Sequence, residues 1–195
     1  MSMLVPSVVE STNRGDRSFD LYSRLLAHRI VFLGHPIGND VANLVCAQLL
    51  HLASEHDDQP VQLYVNSPGG EIDAALAIYD TMQHIPPPVA TVCIGSAASV
   101  AALLVAGGDP GHRTALPNAH FLLHQPGAER RGQISDLLLA ANVVDRQRRT
   151  LESILARHVG STPEQVRLDT DRDLTLTAPD AVDYGLIDTI LTPES

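Results

Sequence analysis

Cysteine is scarce: Cys46 and Cys93 are the only two in 195 residues, and no CxxC pair occurs. Each lies in an apolar run, NLVCAQLL and TVCIG. That pattern argues against a disulfide framework or a thiolate metal site, and for two small buried hydrophobes in a reducing compartment. Basic residues are also few, 13 Lys and Arg against 23 Asp and Glu, which sets the formal charge at -10. Nucleic-acid binding draws its affinity from clustered cations, so nucleic acid is not an expected partner. The densest basic stretches, Glu129 to Arg131 and Arg146 to Arg149, are expected to be solvated or ion-paired faces. No uninterrupted apolar run is long enough to span a bilayer, and the opening MSMLVPSVVEST lacks the basic lead of a signal peptide. No membrane partner is expected, and the cytoplasm is the expected location.

What is present is enough apolar matter for a real core: 44% of residues are hydrophobic and mean hydropathy is near zero. Short β-rich runs alternate with helical periodicity, which predicts an α/β layer fold with mostly parallel, buried strands. IVFLG (30–34), VQLYVNS (61–67) and VATVCIG (89–95) read as strands. Helices are expected over 39–56, capped by Asn39 or Asp40 and burying Val41, Leu44, Val45, Leu49, Leu52 and Ala53, and over 72–84, ended by the prolines at 86–88. AHFLLHQP is a further apolar run, ending in His124. A long helical pattern fills 133–158, interrupted by DRQRR. Such a helix would be about 37 Å long, more than one domain of this size covers, so part of it should meet another subunit. STPEQ reads as a helix start, and DTDRDLTLTAPDAVDYGLIDTIL as a loop, a short helix and a last strand.

Two serines, Ser96 and Ser99, interrupt the stretch CIGSAASVAALLVAGG, where a hydroxyl is costly unless it finds a partner. In open α/β sheets ligands bind beyond the carboxyl ends of the strands, and two small-residue loops fall there, NSPGG (66–70) and GSAAS (95–99). Glycine lets backbone amides approach a ligand, as an oxyanion hole requires. Ser99 directly precedes a helical run and is the better nucleophile candidate; a plain helix-capping role is equally compatible with this evidence, since GxAAS is not the GxSxG elbow. A nucleophilic serine needs a base. Of nine histidines, His124 stands out at the end of an apolar strand. A metal held by His120 and His124 is not expected, because no acidic companion is near. For an orienting carboxylate the chain offers Asp169, Asp171 and Asp173, among which composition does not choose.

NSPGG, GxAAS, LPNxxFLLHQP, GQISD, DTDRD and the following AxDYGLID together resemble the proteolytic subunits of the Clp protease, from about Pro6 through Leu191 with motif order and spacing kept. The resemblance implies a crotonase-like layered α/β fold of repeated β-β-α units with a protruding long handle helix. It implies one peptidase domain over 18–195, with a handle region at about 125–159, preceded by a flexible axial segment at 1–17 that is trimmed in some members. It implies rings of seven that stack into a tetradecamer enclosing a chamber where unfolded proteins are cut to short peptides. No cofactor is expected, because ATP is used by a partner ATPase of the AAA+ class. By the same resemblance Ser99 matches the nucleophile, His124 the base, Asp173 the orienting acid, and Gly70 and Val100 the two backbone amides of the oxyanion hole.

The departures carry expectations of their own. Val100 and Ala101 replace methionine and glycine, which should narrow the adjacent substrate pocket. After HQP the chain reads Gly127, Ala128, Glu129 in place of leucine and two glycines, at a segment that in the family pairs with substrate and the opposite ring. The outer pocket that receives the ATPase is aromatic in the family and reads Gln62, Tyr64, His84 and Thr114 here, so docking on this face should be weak. A mixed assembly, with a paralogous ring carrying the ATPase contacts, follows from that. The alternative is a catalytically weak or inactive structural or regulatory paralogue. A crotonase-type acyl-CoA enzyme would share the layered fold, but it needs no Ser-His-Asp set and would be expected to offer basic residues near NSPGG, which are absent.

Overall fold

The structure is a computed structural model that describes residues 5–12, 15–125 and 133–192. Glu129 to Arg131 and the Gly127–Glu129 departure lie outside the described residues, as do the first four. The chain opens with an antiparallel hairpin, β1 (Ser7–Thr12) and β2 (Gly15–Asp20), leading into a short helix α1 (Leu21–Leu26). Asp20 caps that helix by accepting the Ser23 amide hydrogen bond.

Then the alternation predicted from periodicity appears: β3 (Ile30–Leu33), α2 (Asn39–Glu55), β4 (Val61–Ser67), α3 (Ile72–His84), β5 (Val89–Ala98) and α4 (Val100–Ala106). β4 alternates strictly between buried and more exposed side chains, with Val61, Leu63, Val65 and Ser67 facing inward. Two details of α2 differ from expectation. Its N-cap is Gly38, with no side-chain cap; Asn39 instead donates through its amide to Glu71. The buried face is Ala42, Val45, Leu49 and Leu52, while Leu44 points outward at 61% exposure. A turn of 3.6 residues sets Leu44 a full quarter-turn from that stripe, so the apolar side chain alone misled.

The chain continues through β6 (Arg113–Ala115), β7 (His120–Leu123), α5 (Ile134–Val159), α6 (Pro163–Asp169), β8 (Leu174–Thr177), α7 (Ala178–Asp183) and β9 (Thr189–Ile190). The N-cap of α6 is Thr162, not Ser161, and Pro163 takes the first helical position. β8 was hidden in the segment expected as loop, because LTLT is only four residues long. Thr177 and Asp180 then form a capping box at the start of α7.

The seven-stranded sheet runs β3-β4-β5-β6-β9, all parallel, and it forks at β5. The first half of β5 pairs with β6 through Thr91–Cys93, and the second half pairs with β7 through Ser96–Ala98. The fork has a local cause: Val65 faces Cys93 and Ser67 faces Ala97, so β5 advances four residues where β4 advances two. Gly95 lies in this irregularity, where a Cβ would come within 2.7 Å of Asn66 Oδ1. β8 then adds antiparallel to β7.

The core lies between the sheet and α2, α3, α4 and the second half of α5. Inside it, Arg113 is only 9% exposed. Its Nε and Nη2 donate to the Asp188 carboxylate, and its Nη1 donates to the carbonyls of His158 and Gly185. This clamp ties β6, the end of α5 and the entry to β9 together. The fold is thus mixed α/β with a mainly parallel sheet, and α5 is the long helix expected from the repeat of apolar residues.

Candidate active site

α4 is an unusually small-residue helix, VAALLVA, with all seven side chains buried. Its N-cap is Ser99, which reaches it with φ 55 and ψ -126, a left-handed region that non-glycine residues rarely occupy. The cap gives no side-chain hydrogen bond to the helix, so its hydroxyl is not spent on capping. Its amide is spent, donating to Leu122 O at 2.7 Å, which fastens the turn to β7 two residues before His124. Ser96 is placed differently: its amide donates to Asn66 Oδ1, across the β4–β5 irregularity.

The NSPGG loop is built by close backbone contact. At Gly69, with φ +88, a Cβ would stand 2.6 Å from Ala98 O, and at Gly70 a Cβ would overlap the Ile37 carbonyl. Ile37 N donates to Gly69 O and Glu71 N donates to Ile37 O. Those two bonds use the residues flanking Gly70, and the Gly70 amide has no acceptor among the described residues. The Val100 amide, at the first position of α4, lacks an intrahelical partner by construction.

Gly70, Ser99, Val100 and His124 line one cavity of about 180 Å³. Its apolar walls are Ile72, Leu103, Leu123, Leu151, Leu155 and Val166, and Gln125, Arg148, Glu152 and Thr170 complete it. Asp173 is not among the lining residues. It nonetheless immediately precedes β8, and the β7–β8 register, carried one residue past Leu123 and Leu174, sets it opposite His124. Among the described residues no hydrogen bond joins Ser99 to His124 or His124 to Asp173. The other two aspartates have different partners: Asp169 accepts from Tyr184 and Gln165, and Asp171 from Gln125.

The outer positions separate into a row and an outlier. Tyr64 on β4, Val92 on β5 and Thr114 on β6 stand in one register row, with Gln62 two residues earlier on the same side of β4. His84 ends α3 and is exposed. The cavity residues that sequence reasoning missed are those on α5 and α6. Arg148 belongs to the DRQRR interruption, which read as a paired surface; it does pair with Asp145, and its other face meets the cavity. The apolar stripe broken by charge was the one available signal.

A ligand-sized hollow where parallel strands end gives the class, an α/β protein with its site at the carboxyl edge of the sheet. Comparison gives the family. The model for Clp protease matches residues 13–194. The chain is 53% identical over 190 residues to ATP-dependent Clp protease proteolytic subunit 1 of Nocardia farcinica (strain IFM 10152), an alignment spanning 97% of this chain and 96% of that one. It is 54% identical over 187 residues to ATP-dependent Clp protease proteolytic subunit 4 of Rhodococcus jostii (strain RHA1), over 96% of each. The chain belongs to the Clp protease family, a family of peptidases.

Proposed function

We propose that this chain is a serine endopeptidase subunit of a Clp protease, with Ser99 as nucleophile, His124 as general base and Asp173 as the acid that orients the imidazole. The observation that carries the reading is the shared cavity: a serine in a left-handed turn, a strand-end histidine and two unengaged amides meet there. Ser99 Oγ attacks the scissile carbonyl while His124 takes its proton. The amides of Gly70 and Val100 hold the oxyanion, and the imidazolium then protonates the leaving amine. Water, activated by the same imidazole, releases the acyl group. Hydrogen bonds of this kind are often long before substrate arrives and tighten in the complex.

Residues 18–195 form the peptidase domain in this reading. Seven copies make a ring and two rings a cytoplasmic chamber, with the exposed first half of α5 serving the contact between rings. Unfolded protein enters through a partner AAA+ ATPase, which consumes the ATP, so the chain itself needs no cofactor. Tyr64 is the single aromatic among the four outer positions, and a paralogous ring carries most of the ATPase contact; the numbered subunits among the relatives fit such a mixed assembly. Tight ATPase binding to rings of this chain alone would contradict that part.

A fluorophosphonate tests the chemistry, because it reacts only with an activated serine. Labelling at Ser99 that Ser99→Ala and His124→Ala abolish is the expected result, with peptide hydrolysis falling by about 10⁶-fold in kcat. Asp173 lying outside the cavity favours a second reading, a structural subunit whose paralogue does the cutting. Labelling of the paralogue's serine in the assembled particle, with none at Ser99, would favour it.

A further inference from the structure

The cavity beside Ser99 extends to an acidic and a basic side chain that the proposed chemistry does not use. Glu152 on α5 is 5% exposed and lines the cavity. Arg167 on α6 holds it, donating from Nε to both carboxylate oxygens and from Nη2 to Oε2 at 2.9 Å. Arg148, one helical turn earlier on α5, lines the same cavity. Its Nη2 donates to Asp145 at 2.6 Å, and its Nε stands 3.7 Å from Glu152 Oε1, too far for a hydrogen bond. Among the described residues, Nε and Nη1 of Arg148 therefore donate no hydrogen bond, and Nε stays within ion-pair distance of the Glu152 carboxylate. Val100, Leu103, Leu123 and Leu155 give the same cavity apolar walls.

A substrate residue whose carbonyl sits at Ser99 places its side chain in this hollow. We propose that Arg148 and Glu152 make the pocket select glutamine at the position just before the scissile bond. The proposal rests on the peptidase reading of Ser99. A glutamine carries an aliphatic stem that matches the walls and a carboxamide that matches the end: its oxygen accepts from Arg148, and its amino group donates to Glu152. Leucine fills the same stem space but covers both polar groups without offering either a partner, and that omission is where polar pockets discriminate most strongly. Glutamate satisfies Arg148 and sets a second carboxylate against Glu152, so it ranks below glutamine.

Three fluorogenic peptides that differ only in glutamine, leucine or glutamate before the cleaved bond test this on the assembled particle. Cleavage remaining in Ser99→Ala particles belongs to any partner subunit and is subtracted. The glutamine peptide is expected to give kcat/KM several-fold above the leucine peptide, with glutamate lowest. Arg148→Met keeps bulk and removes the donor, and it should lower the glutamine-to-leucine ratio by about tenfold. Glu152→Gln, which keeps the shape and weakens the acceptor, should lower it less. A ratio within one preparation does not depend on how much of a variant folds. Leucine at or above glutamine in the parent chain, or an unchanged ratio in Arg148→Met, overturns the proposal while leaving the peptidase reading intact. If Ser99 neither cleaves nor takes a fluorophosphonate, both fall together.

Discussion

α4 and the first half of α5 have similar apolar content and opposite fates. VAALLVA in α4 is buried at every position, between 0% and 4% exposed. LLLAANVV in α5 leaves Leu138 at 63% and Leu139 at 65% exposed. α4 packs between the sheet and neighbouring helices, so its sequence is dictated by this chain's own core. The α5 residues have no such partner within the described chain, so their apolar character answers to something outside it. Farther along, α5 turns inward again at Ile154, Leu155 and Ala156, which pack on the core.

The comparison can be broken by truncating one leucine from each helix. Leu104→Ala should cost about 2–5 kcal/mol of unfolding free energy, since Leu104 is fully enclosed. Leu139→Ala should shift the stability of the isolated chain by no more than about 0.5 kcal/mol and instead weaken assembly. Urea titration and sedimentation velocity on both variants check this; equal stability losses would erase the distinction between the helices.

Thiol chemistry sharpens the same contrast at a smaller scale. Cys93 is fully buried on β5, and burial pushes its thiol up to about 11 despite a hydrogen bond from the Gly95 amide. Iodoacetamide at pH 8 should therefore alkylate the partly exposed Cys46 first and reach Cys93 only when the core opens. Mass spectrometry showing both thiols modified at one rate in the folded chain would count against a closed core beneath the cavity.

The smallest effect concerns the inward end of α5. His158 Nε2 lies 2.8 Å from the Tyr79 hydroxyl, with the rings edge to face at 5.6 Å. Burial, and then the nearby Arg113 and Arg157, hold the imidazole below its ordinary value. The unfolded chain takes up this proton near its ordinary pKa of about 6.5 and the folded chain resists, so stability should begin to fall as pH drops below that point. His158→Gln should flatten that part of the denaturation midpoint against pH; an unaltered profile would remove His158 as a source of acid sensitivity.

Periodicity made most of the fold legible. β4 alternates and α3 repeats every three to four residues, and both fall where the pattern sets them. Helix starts were harder to read, because Asn39, Gly38, Thr162 and Ser161 are all plausible caps and the winner depends on backbone direction. β8 escaped because four residues of strand leave almost no periodic trace, and its pairing with β7 is a long-range fact. At the site, the small-residue loops could be read from the chain. The cavity's far wall could not, since Arg148, Glu152 and Thr170 come from segments whose charges resemble any solvated surface.

The Arg113 clamp gives a two-residue strand an importance out of scale with its length. Losing Asp188 would strand a guanidinium in the interior without its counter-charge, a change that typically costs about 3–5 kcal/mol. The carbonyls that remain around it belong to His158 and Gly185, so the damage would spread to the root of the longest helix. Trimming the protein from its carboxyl side should thus destabilise it in two steps, a first as β9 loses its pairing with β6 and a larger one as Asp188 itself goes.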